Sequence, residues 1–350
     1  MAENMKVIIK EKAGPGLNLS EKPVPVLEND DWVKIKILAA SICGTDMHID
    51  EWDEWSQQRV KPGTTVGHEL AGEIVEVGSN VKNLKIGDIV ACETHIVCET
   101  CELCQTGNAH VCEETVIIGV HTDGAFAEYI CMPESNCRPQ PKDIEPKYLS
   151  VLEPFGNAVH TVTEFDVKDK NVAVIGCGPI GLMAVNIAKV LGAKKVVAVE
   201  IDEYRIQMAK ELGADVCINP IKEDVIARMK EETDCKGIDV ACEFSGNKQA
   251  IEAIFKYIGL NGKISILGIP RGELSIDVAN DVVFKGVTIY GVLGRKMYET
   301  WDKAAEIVAS GKIDFSKIVT HTYDLENYEE AFDLMRSGQC GKVVLIPNHK

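Results

Sequence analysis

Residues 171–184 read NVAVIGCGPIGLMA. A short apolar run, NVAVI, meets the glycines Gly176, Gly178 and Gly181, and a helical pattern, PIGLMAVNIAKVLG, follows. A strand that enters a helix through GxGxxG is the fingerprint of a dinucleotide-binding βαβ unit. Gly176 permits the tight turn, Gly178 lets a pyrophosphate approach the backbone, and Gly181 lets helix and strand pack closely. The helix N-terminus then offers N–H groups and the positive end of its dipole to the phosphates. Alone, the motif also reads as a Gly-rich turn. Its context decides, because the next strand, KVVAVE, ends at Glu200, 24 positions after Gly176, where a carboxylate can accept both hydroxyls of a ribose. A carboxylate there repels a 2′-phosphate, so NAD is the expected cofactor. Arg205 leaves three readings open: meeting a 2′-phosphate, stacking on adenine, or standing as a solvated helix residue.

The same alternation continues outward. KVVAVE leads to EYRIQMAKELG, DVCIN to KEDVIARMKEE, GIDVACEFSG to KQAIEAIFKYIG, and GKISILGI through a longer connection to VTIYG. Six strands with helical crossovers predict a parallel, doubly wound α/β sheet. Upstream, from Met5 to about Ser150, short β-rich runs (WVKIKILAAS, GEIVEVG, GDIVAC, FAEYICMP) separated by Gly, Pro and Asn predict a small β domain with irregular loops. Downstream of Gly294, a helix around Tyr298 to Ala309 precedes a tail ending in KVVLIP. A lone buried strand has no sheet of its own, so it is expected to return to the first domain. The expected division is 1–153 with 296–350, and 154–295.

Length and charge bound the function. A chain of 350 residues accommodates about two domains, and 26% charged with 45% apolar residues is a globular composition. Lys+Arg 37 against Asp+Glu 54 leaves −17, a field that repels nucleic acid and anionic membranes and favours a small-molecule partner. Met1 to Gly14 lacks the apolar core of a secretory signal, which predicts a cytoplasmic protein. Asn171 to Ala188 is uncharged over 18 residues, the lower edge of a membrane span, but its Gly/Pro interruption splits it into a buried strand and a helix.

Thirteen cysteines, an odd number in a long chain, with four between Cys98 and Cys112, point to metal rather than disulfides. Cys98, Cys101, Cys104 and Cys112 form CxxCxxCx7C, four soft ligands that fill a tetrahedron and leave no position for substrate, as in structural zinc. The first three also fit the start of an iron–sulfur run, but that run closes with three intervening residues and Cys-Pro, whereas seven intervene here and Glu113 follows. Cys43 opens CGTDMH, and His68 with Glu69 lies in GHE. Thiolate, imidazole and carboxylate plus an open position are what catalytic zinc needs to lower the pKa of an alcohol. By spacing alone the three read as structural more often than as catalytic.

CGTDMH, GHELAGEIVEVG, the four-cysteine loop, EPFGNAVHT and VIGCGPIGLMA occur in this order, and the whole chain thereby resembles the zinc-dependent medium-chain alcohol dehydrogenase family. HIDEWDEWSQ, ETHIVC, EPFGNAVHT, FKGVTIYGVLGRKMYETW and EAFDLMRSGQCGKVVL are similar to the members that act on L-threonine. The resemblance implies a GroES-like β domain formed by both chain ends, a Rossmann domain between them with the site in the cleft, and a homotetramer. It implies two Zn2+ per subunit, one catalytic on Cys43, His68 and Glu69 and one structural on the four cysteines. Thr45 and His48 match the proton relay, and Glu153 the acidic residue of (D/E)PFGNAVH, which enters the zinc sphere or assists proton transfer from its edge. Whether Glu69 or Glu153 ligates is left open. Ile180, Glu200 and Arg205 match cofactor positions, as do Leu267, Gly268, Ile269, Val292 and Leu293. Other alcohol dehydrogenases of the family have a cysteine as third ligand; Glu153 in its place is shared with polyol dehydrogenases.

The function implied is oxidation of L-threonine at its 3-hydroxyl to 2-amino-3-oxobutanoate, with zinc stabilising the alkoxide, the proton leaving through Thr45, the nicotinamide ribose and His48, and the hydride passing to NAD. A polyol or secondary-alcohol dehydrogenase, of the sorbitol or butanediol type, shares metal and cofactor; a silent NAD-binding protein would retain only the scaffold. His48 also reads as a surface histidine. His95 reads as a substrate contact or a loop histidine, and Arg295 as a carboxylate receptor or a surface salt bridge. Trp52 and Trp55 read as packing or subunit contact, or as pocket lining.

Overall fold

The alternating segments after Asn171 build one sheet whose strands run, in spatial order, Val216–Ile218, Lys195–Val199, Asn171–Ile175, Ile238–Glu243, Ile258–Ile266 and Thr288–Gly291. Every neighbouring pair is parallel, and the order reverses beside Asn171–Ile175, the switch point at which doubly wound sheets bind ligands. Apolar residues fill the inner strands, NVAVI and KVVAV, because both of their faces are buried. Those helices start where Asp202, Asp224 and Asn247 accept backbone N–H groups of their first turns. The uncharged stretch 171–188 resolves into the strand Asn171–Ile175 and the helix Pro179–Val190, and no helix among the described residues is long and apolar enough to cross a membrane.

This computed structural model describes residues Glu3 to His349; Met1, Ala2 and Lys350, which the expected bounds of the first domain take in, lie outside the described residues. Residues up to Glu153 with those from Val319 onward form one unit, and Pro154–Ile318 the other. Within the first, a sheet runs Cys137–Pro139, Ile89–Cys92, Glu69–Val77, Trp32–Ser41, Lys342–Ile346, Val319–Asp324, with Tyr129–Pro133 also paired to Trp32–Ser41. The strand Lys342–Ile346 returns to this sheet, pairing antiparallel with Ala40 and Ser41. One apolar core lies beneath, in which Phe126 meets Phe332 edge-on at 6.4 Å. The unit is not purely β: Gly44–Glu51 is a helix, held at its start by Asp46, whose carboxylate accepts the Cys43 N–H at 2.9 Å.

Residues 296–318, expected with the first domain, lie in the second unit. Long-range contacts hold them there. Lys296 pairs with Glu164 at 2.7 Å, Gly156 leaves room for the Arg295 stem and Thr300, and the Phe315 ring packs edge-on against Phe155 at 5.3 Å. Phe315 is buried. Phe315→Ala should therefore destabilise the second unit by about 3–5 kcal/mol, with faster amide hydrogen exchange concentrated in 154–318 and little change in 3–153.

Candidate active site

In the first unit, the loop between the strands His95–Ile96 and Val116–Ile117 folds Cys98, Cys101, Cys104 and Cys112 together, their sulfurs all within 4.8 Å of one another. The separations Cys98–Cys104 3.9 Å, Cys101–Cys112 3.9 Å and Cys98–Cys112 3.6 Å match the edge of about 3.8 Å of a tetrahedron of sulfurs about 2.3 Å from a central zinc. They are far longer than a disulfide of about 2 Å, and all four thiols are free. The Cys98 thiol is lowered to about 6, first by the Cys101 and Thr100 N–H groups aimed at it, whereas burial and neighbouring thiols push Cys104 up to about 12. The set fits a tetrahedral thiophilic ion.

Cys43, at the start of the helix Gly44–Glu51, meets His68 and Glu69, which open the strand Glu69–Val77; their ligand atoms also lie within 4.8 Å of one another. His68 and Glu69 are buried. Two of their atoms, His68 Nδ1 and Glu69 Oε1, have no hydrogen-bond partner within the chain, an arrangement a bound cation would complete. The other oxygen, Glu69 Oε2, is engaged by the Lys342 ammonium and the Ser41 hydroxyl. Burial raises the Glu69 carboxyl, with Lys342 opposing and Glu153 reinforcing the shift. Burial disfavours charge on His68, but Cys43 and Asp46 outweigh it and hold the ring well above the usual histidine range; Asp46 Oδ1 stands 3.6 Å from His68 Nδ1.

Two of the remaining sequence candidates of this unit, Thr45 and Glu153, neighbour that group. Thr45 Oγ1 is 3.8 Å from Cys43 Sγ. Glu153, buried, accepts from Thr94 Oγ1 at 3.3 Å, and the same hydroxyl lies 3.4 Å from His95 Nδ1. His95 is in turn fixed by Glu93 at 3.0 Å. Glu69, not Glu153, is the carboxylate grouped with Cys43 and His68 among the described residues. His48 is half exposed and pairs through Nδ1 with Asp53 at 2.8 Å. Trp52 and Trp55 pack on the first unit's core.

In the second unit, Gly176 has φ +86°, the left-handed region that favours glycine, and a Cβ on Gly181 would stand 1.9 Å from the Gly176 carbonyl oxygen. A Cβ on Gly178 would meet nothing, for it opens on a cavity of about 500 Å3 lined by Gly176, Glu200, Arg205, Ala250 and Tyr257 among others. Glu200 is held at the strand end by the N–H groups of Cys177 at 2.7 Å and Ile201 at 2.8 Å. Arg205 Nε is buried there without a hydrogen-bond partner. An anion-friendly helix start, a fixed carboxylate and a guanidinium whose Nε–H is unsatisfied fit the adenosine and phosphate end of a dinucleotide. Ile180, Leu267, Gly268, Ile269, Val292 and Leu293 do not line this cavity; the last five follow the strands Ile258–Ile266 and Thr288–Gly291, where Ile269 and Leu293 expose apolar side chains. Arg295 is 1% exposed and donates to Asn157 Oδ1 at 2.9 Å, which removes its reading as a surface salt bridge.

Three polar residues escaped the sequence reading. Asp46 could have been found from its capping-box spacing to Cys43. Asp53 stands five positions from His48, a spacing with no helical meaning, and Lys342 reaches Glu69 only through strand pairing.

Residues 29–142 match the alcohol dehydrogenase GroES-like domain family and residues 179–310 the zinc-binding dehydrogenase family. The chain is a member of the zinc-dependent alcohol dehydrogenase family. It is 51% identical over 344 residues to the L-threonine 3-dehydrogenase of Caldanaerobacter subterraneus subsp. tengcongensis, covering 98% of this chain and 99% of that protein. It is 47% identical over 347 residues to the L-threonine 3-dehydrogenase of Bacillus licheniformis, covering 99% and 100%. Among solved structures, 2R,3R-butanediol dehydrogenase from Bacillus subtilis superimposes with a TM-score of 0.86 at 28% identity, covering 98% of this chain and 100% of that one.

The lowered Cys98 thiol gives a direct test of the four-cysteine site. After metal removal, iodoacetamide at pH 7 should alkylate Cys98 before Cys104, because the first is a thiolate above about pH 6 and the second a thiol until about pH 12. Peptide mass spectrometry reads the order, and added zinc should suppress both modifications.

Proposed function

We propose that the chain oxidises L-threonine at its 3-hydroxyl, with NAD as acceptor, giving 2-amino-3-oxobutanoate, NADH and a proton. The observation that carries this reading is the full-length likeness to two L-threonine 3-dehydrogenases, against the lower likeness to the butanediol enzyme. Two zinc ions per subunit fit the donors, a structural one on Cys98, Cys101, Cys104 and Cys112 and a catalytic one on Cys43, His68 and Glu69, with Glu153 at its edge. When bound at the second set, zinc polarises the alcohol oxygen and lowers its pKa.

The chain's own groups handle the proton and the cofactor. Thr45 Oγ1 accepts the hydroxyl proton and passes it on; His48, half exposed, delivers it to solvent. Glu153, tied to Thr94, assists that proton transfer from the edge of the site. Glu200 receives the adenosine ribose hydroxyls, Arg205 stacks on or pairs with that end, and Gly176, Gly178 and Gly181 admit the pyrophosphate to the N-terminus of Pro179–Val190. Ile180, Leu267, Gly268, Ile269, Val292 and Leu293 complete the cofactor contacts.

The strand Thr288–Gly291 closes the parallel sheet with no further partner among the described residues, and Leu260, Val283, Phe284 and Ile289 expose apolar surface. Unpaired apolar edges favour association, which supports the homotetramer. Free thiols in two ligand sets favour a reducing, cytoplasmic location.

NADH absorbance with threonine, sorbitol, 2,3-butanediol and 2-propanol in parallel tests the substrate. Threonine should turn over best; failure with threonine and success with a diol or polyol would replace this reading by the polyol one. Cys43→Ala and His68→Ala should abolish turnover while the Kd for NAD, measured by calorimetry, changes less than about threefold. Glu200→Ala should weaken NAD binding by about 10- to 100-fold, the worth of hydrogen bonds to a charged group, and narrow its preference over NADP.

A further inference from the structure

The segment after Cys43 holds a side-chain pair, His48 and Asp53, of which the reaction scheme uses only His48. His48 Nδ1 lies 2.8 Å from Asp53 Oδ2, and the other carboxylate oxygen, Oδ1, accepts from the Ser56 backbone N–H and the Ser56 hydroxyl, each at 2.9 Å. An ionised carboxylate only accepts hydrogen bonds, so the imidazole nitrogen facing it must carry the hydrogen. Both ring nitrogens cannot be donors in a neutral imidazole; Nε2 is left with its lone pair.

The turn that carries Asp53 is built to hold it there. Trp52 ends the helix Gly44–Glu51 in the left-handed conformation, φ 58°, so the chain doubles back and the Asp53 N–H points at the His48 carbonyl, 3.4 Å away. Gln57 Nε2 donates to the Trp52 carbonyl at 2.8 Å. The Lys10 ammonium sits 4.9 Å over the Trp52 ring and donates to the Gly16 and Asp50 carbonyls, while Arg336 pairs with the Asp50 carboxylate. On its other side His48 faces the Trp55 ring at 6.5 Å, which the Arg59 guanidinium covers at 5.1 Å. Burial opposes the charge on Asp53, but the Ser56 N–H and hydroxyl and the His48 ring outweigh it and keep the carboxyl below its usual range, so it stays an acceptor.

We infer that Asp53 is a positioning residue for the relay: it fixes His48 as the Nδ1–H tautomer and so keeps Nε2 free to receive the proton that leaves the substrate. The inference rests on the proton-relay reading of His48. The proton arrives at Nε2, the ring becomes imidazolium with Nδ1–H still bonded to Asp53, and the Nε2 proton is released to solvent, restoring the same tautomer.

Asp53→Asn tests it with little disturbance of the fold, because an asparagine oxygen still caps Ser56. The amide N–H2 then faces His48, Nδ1 must accept, and the hydrogen moves to Nε2. In the holoenzyme labelled with 15N-histidine, the neutral His48 ring of the unaltered chain should show the Nδ1–H pattern, and that of Asp53→Asn the Nε2–H pattern. The variant's kcat should fall about tenfold or more, with KM for NAD within about twofold. His48→Gln should give a similar fall, and the double variant no further one. An Nε2–H pattern in the unaltered chain, or no change of pattern in Asp53→Asn, overturns the inference. If His48→Gln slows turnover and Asp53→Asn does not, Asp53 loses its role while the relay stands. If neither slows turnover, the relay and the inference fall together. Slowing by Asp53→Asn that persists undiminished in the His48→Gln background also overturns it.

Discussion

The ion pair between Lys342 and Glu69 is the buried contact that fixes the carboxylate of the Cys43, His68 and Glu69 group. Both groups are buried, with Lys342 3% and Glu69 0% exposed. A buried pair gives little net stabilisation over apolar residues, but loss of one partner strands a charge and costs about 3–5 kcal/mol. The pair is completed by the Ser41 hydroxyl on Glu69 Oε2 and by the Ile42 carbonyl, which accepts from the Lys342 ammonium at 2.8 Å. One oxygen of the carboxylate is thereby occupied, and the other is turned loose beside Cys43 and His68. A cation built into the fold thus faces a group of donors rich in negative charge, and it does so from the strand that also knits the sheet together at Ala40 and Ser41.

The second unit meets a different constraint, the close approach of a strand end and a helix start. Its solution is steric. Gly176 and Gly181 touch where any side chain would collide, and this near-contact of strand end and helix start leaves Gly178 facing open volume. Glu200 is braced by backbone N–H groups at the end of the neighbouring strand. The two units therefore differ in kind: one collects charged side chains around a point, the other shapes a groove lined largely by backbone and apolar groups.

What could be read in advance was what is local in sequence. The glycine motif and the four-cysteine loop each lie within a few turns of chain, so spacing alone carries their geometry, and the parallel sheet follows from strands that alternate with helical crossovers. The helix Gly44–Glu51 was missed because its residues, GTDMHIDE, show no apolar stripe; a capping interaction and burial against the core hold it instead. Residues 296–318 were assigned to the wrong unit because their position is decided by Phe315 against Phe155 and Lys296 against Glu164, contacts 160 and 132 positions apart. The Cys43, His68 and Glu69 grouping was visible as residue types, yet the engagement of Glu69 by Lys342 was not, since nothing near GHE or GKVVL announces the other.

That separation has a temporal side. Glu69 and Lys342 are 273 positions apart, and at about 5–20 residues per second a ribosome needs roughly 14 to 55 s to travel from one to the other. The nascent carboxylate leaves the exit tunnel long before its counter-charge exists, while Pro154–Ile318, contiguous in sequence, is already fully translated. The carboxylate beside Cys43 and His68 is therefore the last to gain its counter-charge, and a chain that stops short of Lys342 would carry the whole Pro154–Ile318 unit while Glu69 lacks its ammonium partner.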